Sequence, residues 1–477
     1  MTTTTTKSGF NARWAGAWLA RPLASFHLVV TIATLLTVLG LVMVLSASSV
    51  EAYTDGGSAY SLFIQQAVFA AIGCSLFYLA LRLPLKLLRQ WSFPLFALSV
   101  LALALVLIPG IGSEVQGARR WFVIGPISVQ PSEIVKVTLV IWGAHLLASR
   151  RSERAGLKDI LVPLVPAGLL VCLLVVLQPN LSTTIALGVV LAALLWFGGL
   201  PVRLFITICV SGMIAAGILA LSAGYRSDRV RSFFNPSADP MGNNYQARQA
   251  QYSLADGGIW GRGLGQSRAK WSYLPNSHND FIFAIIGEEL GFLGCALVLG
   301  LFALFVYTGL RIAARSVDPF LRLLTATATT WITAQALINI GYVVGLLPVT
   351  GLQLPLVSAG GSSLAITLFM FGIIASAARH EPEAVAALHA GGDGRFSRLL
   401  RLPKPEVYSP AKASSARART AAKAQPRKRP QPQRGRPQPP ARRPQPGARR
   451  GTGSLRSTRA WEPNYPMHHP RERGRDR

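Results

Sequence analysis

The chain has 477 residues, of which 51% are hydrophobic and 14% charged, and its net charge is +28 at pH 7. Several apolar stretches are long enough to cross about 30 Å of hydrocarbon, which excludes a large soluble protein and predicts an all-α, polytopic membrane protein. The four cysteines lie apart from one another in apolar runs, so they indicate neither a metal site nor a disulfide framework.

About ten transmembrane helices are predicted, with both ends of the chain in the cytoplasm. Residues 1–25 are polar and lack the cleavage site of a removed signal peptide, so we expect a cytoplasmic N-terminal segment. The basic clusters at residues 82–89, 150–158 and 311–322 then fall on the cytoplasmic side, as the positive-inside rule requires. The helices lie in a predicted domain of residues 26–380, at residues 26–48, 61–82, 92–110, 131–148, 160–178, 181–199, 203–223, 281–310, 321–346 and 360–379.

The fourth predicted helix begins with two opposite charges. The sequence at its start is Q-P-S-E-I-V-K, in which Glu133 and Lys136 lie three residues apart on one helical face. A charge within a membrane is costly and usually has a partner. We therefore interpret the two residues as a structural, intramembrane ion pair.

Two outer segments carry more positive charge than the positive-inside rule predicts. One contains Arg119 and Arg120, and the other is a large extracytoplasmic loop at residues 224–280, with seven Arg and Lys against four Asp. We favour an anionic ligand on the outer face, although a long outer loop also tolerates cations without one. Glycines after Ala255 allow backbone N–H groups to approach a bound group, and the alternative is an ordinary turn-rich loop.

The outer loop ends in the stretch Trp271 to Phe292, in which polar residues are followed by a predicted apolar helix. An Asp at a helix start, such as Asp280, is most simply a cap that satisfies free N–H groups. Helical spacing places small residues and a second carboxylate, about 12 Å deeper, below it on one face, namely Ala284, Gly287, Glu288 and Gly291. We interpret this strip as a groove for a long, flexible substrate.

The connection before the tenth helix reads L-P-V-T-G-L-Q-L-P-L-V-S-A-G-G-S-S, and its prolines and glycines preclude a regular helix. Non-helical backbone at membrane depth is tolerated where it lines a cavity, so we expect this connection to form a substrate rim. Beyond it, residues 381–477 are predicted to be a disordered cytoplasmic tail, because a Pro- and Arg-rich composition cannot bury a core. Its expected partners are anionic membrane lipids or an acidic protein surface, and no nucleic acid.

The text Y-L-P-N-S-H-N-D-F-I-F-A-I-I-G-E-E-L-G-F, preceded by Y-Q-A-R-Q and G-R-G-L-G, resembles the SEDS family (shape, elongation, division and sporulation). Further signatures, G-A-R-R-W, Q-P-S-E-I-V-K and the connection before the tenth helix, follow in the family's order over about residues 26–380. The match leans to the cell-division, FtsW-like branch over the RodA-like elongation branch. Asn180, Ser182 and Ala359 depart from the residues that the family often has, and they receive no catalytic role here.

This resemblance implies a peptidoglycan glycosyltransferase that polymerises lipid II, a polyprenyl-diphosphate-linked disaccharide, at the outer face of the cell membrane, at the division septum. The family's essential aspartate corresponds to Asp280, and its ion pair to Glu133 and Lys136. A carboxylate suits the role of general base for an attacking sugar hydroxyl, and the leaving diphosphate calls for cations. To substrate binding we assign Arg119, Arg229, Gln246, Arg248, Lys270, His278, Ser358 and Gly360.

The expected partners are lipid II, the growing lipid-linked glycan strand, a class B penicillin-binding protein transpeptidase and other divisome proteins. The one cofactor under consideration is a divalent cation, Mg2+ or Mn2+, and no metal ligands are assigned. The competing function is a lipid II flippase, which also predicts ten helices and intramembrane carboxylates, although the sequence shows no convincing inverted repeat. A division scaffold ranks last, because a scaffold does not need buried charges.

Overall fold

The computed structural model of the protein describes residues 21–54, 58, 60–115, 118–125, 127–150, 157–222, 233, 245–268, 278–391 and 400–408. These residues form thirteen helices: α1 (Ala24–Thr54), α2 (Ser61–Arg82), α3 (Leu85–Gln90), α4 (Ser92–Leu105), α5 (Pro131–Arg150), α6 (Leu157–Val176), α7 (Leu181–Phe197), α8 (Val202–Ser222), α9 (Tyr245–Gly257), α10 (Ile282–Arg315), α11 (Pro319–Val343), α12 (Ser362–Arg379) and α13 (Pro382–His389). The strands are β1 (Ser113–Val115), β2 (Ala118–Ile124) and β3 (Ile127–Val129).

Each of the ten predicted membrane segments coincides with one helix. In the described part of the chain, α1, α2, α5, α8, α10 and α12 are long and apolar enough to cross a membrane, and α4, α6 and α7 are shorter apolar helices. The remaining one, α11, is richer in Thr, Gln and Asn, and most of its residues are buried against α5, α7 and α10. A helix surrounded by protein can be more polar, because its polar side chains find partners inside the bundle.

The prediction of an all-α fold misses a small antiparallel sheet between α4 and α5, in the order β1-β2-β3. In β2 and β3, aromatic and β-branched residues flank a Gly-Pro pair, and Gly125 has a φ of +60°. This composition is typical of a β-hairpin. Strand β2 contains the A-R-R-W part of the motif G-A-R-R-W, so Arg119 and Arg120 of one predicted outer segment lie on a strand.

Helix α10 is kinked at Gly291, where φ is +68° and ψ is −163°. Residues 258–263 run beside the kink and exchange backbone hydrogen bonds with it. The four bonds, of 2.9 to 3.4 Å, join Arg262 N–H to Glu288 O, Gly263 N–H to Glu289 O, Phe292 N–H to Gly258 O, and Leu293 N–H to Ile259 O. The kink therefore leaves these backbone groups paired, as membrane depth requires.

The strip of small residues on α10 is a packing surface, so the prediction of a substrate groove there is wrong. A Cβ atom added at Gly257 of α9 would lie 1.8 Å from the carbonyl oxygen of Gly287. One added at Gly261 would lie 2.2 Å from the carbonyl oxygen of Glu289. Small residues do permit close approach, but here the approaching group is the protein's own backbone. Among the glycines after Ala255, Gly257 and Gly261 pack on α10, and Gly258 and Gly263 form backbone hydrogen bonds with it.

The first part of the predicted disordered tail is ordered against the bundle. Helix α13 follows α12 directly, and residues 400–408 lie along the ends of α2 and α12. Tyr78, Arg82 and Arg379 donate hydrogen bonds of 3.1, 3.2 and 2.9 Å to the carbonyl oxygens of residues 400, 401 and 403. Leu402 is buried in the core. The compact unit extends to residue 409, and the rest of the predicted tail lies outside the described residues.

Candidate functional site

A cavity of about 1160 Å³ opens between the sheet, the start of α7, the turn before α10 and the connection from α11 to α12. Residues 348–353 of that connection line the cavity, so the prediction that the connection lines a cavity is confirmed, and its role as a substrate rim stays a prediction. The polar lining residues include Arg120, Gln130, Glu133, Asn180, Ser182, Gln246, His278, Asn279, Asp280, Gln335, Thr350 and Gln353.

Asp280 lies in the turn that precedes α10, and its main chain is held from α11. Its carbonyl oxygen accepts hydrogen bonds from Asn339 Nδ2 at 2.9 Å and from the Tyr342 hydroxyl at 2.8 Å. The Phe281 ring packs edge-on against Tyr342, with 5.7 Å between ring centroids. Phe281, not Asp280, occupies the N-cap position of α10, so the interpretation of Asp280 as the cap is wrong.

The carboxylate of Asp280 lies close to α7 and to the α11–α12 connection. A Cβ atom added at Gly351, where φ is +78°, would lie 3.4 Å from Asp280 Oδ2 and 4.0 Å from Ser182 Oγ. The Ser182 hydroxyl donates to the Thr350 carbonyl at 2.6 Å, which ties α7 to the same connection. Ser182, which received no role from the sequence, thus lines the wall beside the acid.

The predicted ion pair is present, and its Glu133 lines the cavity. Lys136 Nζ lies 2.8 Å from Glu133 Oε1, and the lysine side chain is only 1% exposed. Its ammonium is also 3.4 Å from Gln335 Oε1 and 5.1 Å from the centre of the Trp331 ring. Glu133 and Gln335 line the cavity, so the pair supports the cavity wall from behind.

Of the two adjacent arginines in β2, the structure places Arg120 at the cavity and Arg119 outside it. Successive strand residues face opposite sides, and this alternation separates the two guanidinium groups. Arg120 donates to the carbonyl oxygens of Gln178 and Pro179 at 3.1 and 3.0 Å. Arg119 instead pairs with Glu114 at 3.2 Å. The assignment of Arg119 to substrate binding stays a prediction, and Arg120, which was placed in the same basic segment without an individual role, is the arginine that lines the cavity.

The other predicted substrate residues divide into three groups. Gln246 and His278 line the cavity with Asp280, whereas Arg248 of α9 does not. Ser358 and Gly360 are not among the residues that line the cavity, and their assignment to substrate binding stays a prediction. Arg229 and Lys270 lie outside the described residues, and their role stays a prediction.

Ser358 and Gly360 shape the α11–α12 connection. The Ser358 hydroxyl accepts from Leu354 N–H at 2.8 Å, and Gln66 Nε2 donates to the Ser358 carbonyl at 3.2 Å. Gly360 N–H donates to Gln66 Oε1 at 3.2 Å. Ala359 N–H in turn donates to the His278 carbonyl at 3.0 Å, so this connection also positions the turn that contains Asp280.

No group of three or more His, Cys, Asp and Glu that could hold a metal ion occurs in the described ranges. The side chains there do not by themselves fit a preformed metal site, and a divalent cation stays a prediction. The polar groups that sequence reasoning missed are mostly amides and hydroxyls, such as Gln335, Gln353 and Thr350. Among these, Gln335 could have been found from the sequence, because it lies inside a predicted span and polar residues at membrane depth usually face a cavity.

The sequence and fold match known proteins over most of the chain. A probable peptidoglycan glycosyltransferase FtsW of Mycobacterium tuberculosis is 57% identical over 411 residues, which are 86% of this chain and 78% of that protein. The stage V sporulation protein E of Bacillus subtilis is 36% identical over 354 residues, 74% of this chain and 96% of that protein.

Two solved structures have a similar fold. A chain of a peptidoglycan synthase complex, described as coordinating polymerization and crosslinking, aligns with a TM-score of 0.60 and 28% identity, over 74% of this chain and 97% of that one. The rod shape determining protein RodA of Thermus thermophilus aligns with a TM-score of 0.56 and 28% identity, over 77% of this chain and 99% of that one. The cell cycle protein family model of FtsW, RodA and SpoVE matches residues 26–383, so the chain belongs to the SEDS family.

Proposed function

We propose that this protein is a peptidoglycan glycosyltransferase that polymerises lipid II into glycan strands during cell division. The observation that carries the proposal is the setting of Asp280, a carboxylate whose main chain is held by Asn339 and Tyr342 at the wall of a large polar cavity. At about 1160 Å³ the cavity exceeds ordinary small-molecule sites, which measure roughly 300–1,000 Å³. Two sugar units and a diphosphate call for a site of this size.

In the proposed reaction, Asp280 acts as the general base. Its carboxylate takes the proton of a sugar hydroxyl while that oxygen attacks the anomeric carbon of the second substrate. The new glycosidic bond forms as the bond from the anomeric carbon to the diphosphate oxygen breaks. Polyprenyl diphosphate leaves with the electron pair, and a single displacement inverts the anomeric configuration without a covalent enzyme intermediate.

Arg120 is our candidate for stabilising the charge that develops on the leaving diphosphate. Its hydrogen bonds to the carbonyl oxygens of Gln178 and Pro179 fix the guanidinium at the cavity wall, next to the first turn of α7. A fixed cation in a water-poor site stabilises an anion without reorganisation during the reaction. The predicted cations Arg229 and Lys270, or a divalent metal held together with the substrate phosphates, would add to this charge.

The proposed cellular setting follows from the same assignment. A glycan polymerase needs a separate enzyme for the cross-linking step, and we propose a class B penicillin-binding protein transpeptidase as the partner at the septum. The synthase complex with a similar chain supports this choice. With both termini in the cytoplasm, as the charge distribution predicts, the cavity faces the outer side, where the strands are needed.

The test is strand synthesis by the purified chain with its transpeptidase partner, from lipid II in detergent micelles. No bilayer separates enzyme and substrate there, so transport is not needed. We expect polymeric glycan. If the complex makes no strands under any divalent-metal condition but moves labelled lipid II across vesicle membranes, the protein is a flippase and the proposal is wrong.

A further inference from the structure

Gln66 of α2 has a buried amide whose two ends both face the connection from α11 to α12. Its Nε2 donates to the Ser358 carbonyl at 3.2 Å, and its Oε1 accepts from the N–H groups of Gly360 and Gly361 at 3.2 and 3.3 Å. The donor end of the amide thus meets an acceptor, and the acceptor end meets two donors. One side chain thereby pairs three backbone groups of a non-helical segment, which at membrane depth must find partners within the protein.

The same contacts support the start of α12. Its N-cap position is occupied by Gly361, which has no side chain to accept from the first N–H groups of the helix. Gln66 supplies an acceptor from another helix. Gly361 also packs on the ring of Phe69 of α2, because a Cβ atom added there would lie 3.2 Å from Phe69 Cε2. The start of α12 is therefore held from α2.

Helix α2 is a firm support, because it packs closely on α12 further along both helices. A Cβ atom added at Gly73 of α2 would lie 2.5 Å from Leu368 Cδ1. One added at Gly372 of α12 would lie 2.7 Å from the Phe77 carbonyl oxygen. Close-packed helices move little relative to each other, so the Gln66 amide belongs to a rigid pair.

The segment that this amide holds touches both the turn that contains Asp280 and the cavity wall. Ala359 N–H donates to the His278 carbonyl at 3.0 Å, and His278 and Asp280 line the cavity. A Cβ atom added at Gly360 would clash with the side chain of Gln353, which also lines the cavity. The position of this segment therefore sets the position of two parts of the cavity wall.

We propose that Gln66 is a positioning residue for strand synthesis. It fixes residues 358–361 and, through the bond from Ala359 N–H to the His278 carbonyl, the turn that presents Asp280 to the cavity. The inference rests on the proposed polymerase function. Gln66 does not line the cavity and does not touch the substrate in this account. It acts through backbone groups, and a catalytic group displaced by about 1 Å can lose on the order of a hundredfold in rate.

The test is the rate of lipid II consumption by Gln66→Met, purified with the transpeptidase partner. Methionine has a similar volume but cannot replace the amide, so all three hydrogen bonds are lost without a large cavity. We expect kcat to fall about tenfold or more with KM close to the wild-type value, because a displaced base weakens the transition state rather than substrate binding.

Two variants in the same helix serve as controls. Gln65→Met makes the identical substitution at the neighbouring residue, whose side chain is exposed. Tyr78→Phe removes a hydrogen bond to the Leu400 carbonyl near the other end of α2, so it weakens the helix contacts away from the cavity. Both controls should keep the wild-type kcat.

Hydrogen exchange of backbone amides provides a measurement that does not depend on activity. The amides of residues 359–361 should exchange faster in Gln66→Met than in the wild type, and at the wild-type rate in both controls. If Gln66→Met does not fold, Gln66→Glu replaces it. An ionised carboxylate still accepts from Gly360 and Gly361 but cannot donate to the Ser358 carbonyl, and we expect kcat to fall about fivefold.

A wild-type kcat in the Gln66 variant would overturn the proposal. So would a raised KM at unchanged kcat, because the amide would then serve substrate binding, and so would an equal loss of kcat in Tyr78→Phe, because the effect would then come from the stability of α2. Absence of strands from the wild-type complex would instead refute the polymerase function. The exchange measurement would still show whether Gln66 holds the connection.

Discussion

At the scale of single residues, the main chain and the carboxylate of Asp280 have different roles. The main chain of Asp280 is fixed by hydrogen bonds from Asn339 and Tyr342 to its carbonyl oxygen. The carboxylate lies instead against Gly351, whose positive φ of +78° brings the α11–α12 connection next to it. The position of the connection beside the acid therefore depends on a left-handed backbone conformation at Gly351, which is strained for a residue with a Cβ atom.

Gly351→Ala tests this dependence. An alanine there adopts a left-handed backbone conformation at a cost of about 1–2 kcal/mol, and its Cβ would lie 3.4 Å from Asp280 Oδ2. We expect a strong loss of strand synthesis with a modest fall in thermal stability. The matched control is Gly188→Ala in α7, where an added Cβ meets nothing within 4 Å. Equal activity of the two variants would contradict the proposed role of the connection.

At the scale of secondary-structure elements, α5 and α11 are joined through buried polar groups. The Glu133–Lys136 pair belongs to α5, and Gln335 of α11 contacts the ammonium and also donates to the Gln353 carbonyl at 3.0 Å. The pair thereby connects the centre of the bundle to the rim of the cavity. An architectural role predicts that its loss affects stability before chemistry.

Glu133→Ala and Lys136→Ala should each destabilise the protein by about 3–5 kcal/mol, because each leaves a buried charge without its partner. The double variant should be milder than the sum of the two, since it leaves neither charge uncompensated. Thermal unfolding in detergent measures all three. A single variant with normal stability and no activity would show that the pair takes part in catalysis.

The segment of residues 400–408 gives a prediction for the end of the chain. Removal of residues 410–477 should leave folding and purified activity unchanged, because the compact unit ends at residue 409. Removal from residue 400 should lower thermal stability, because Tyr78, Arg82 and Arg379 lose their carbonyl acceptors and Leu402 leaves the core. Equal melting temperatures for the two truncations would refute a stabilising contact.

At the scale of the whole molecule, apolar length suffices to locate the ten helices along the chain, because the bilayer imposes that length on the sequence, and the orientation that loop charge indicates stays a prediction. They do not determine how the helices pack. Whether the small residues of α10 face a substrate or another backbone depends on where α9 and residues 258–263 pack. The helical spacing within α10 does not predict that contact. Likewise, which of Arg119 and Arg120 lines the cavity depends on strand β2, and the prediction of an all-α fold did not contain that strand.

The most direct test of the central claim is the rate of glycan-strand synthesis by Asp280→Asn, purified with its transpeptidase partner and supplied with lipid II in detergent. The amide has the shape of the carboxylate but cannot act as a base at neutral pH. Asp256→Asn is the matched control, since Asp256 is an acid of α9 that pairs with Arg262 and does not line the cavity. Our account predicts no strands from Asp280→Asn, at unchanged thermal stability and substrate binding, and wild-type synthesis from Asp256→Asn. Normal strand synthesis by Asp280→Asn would contradict it.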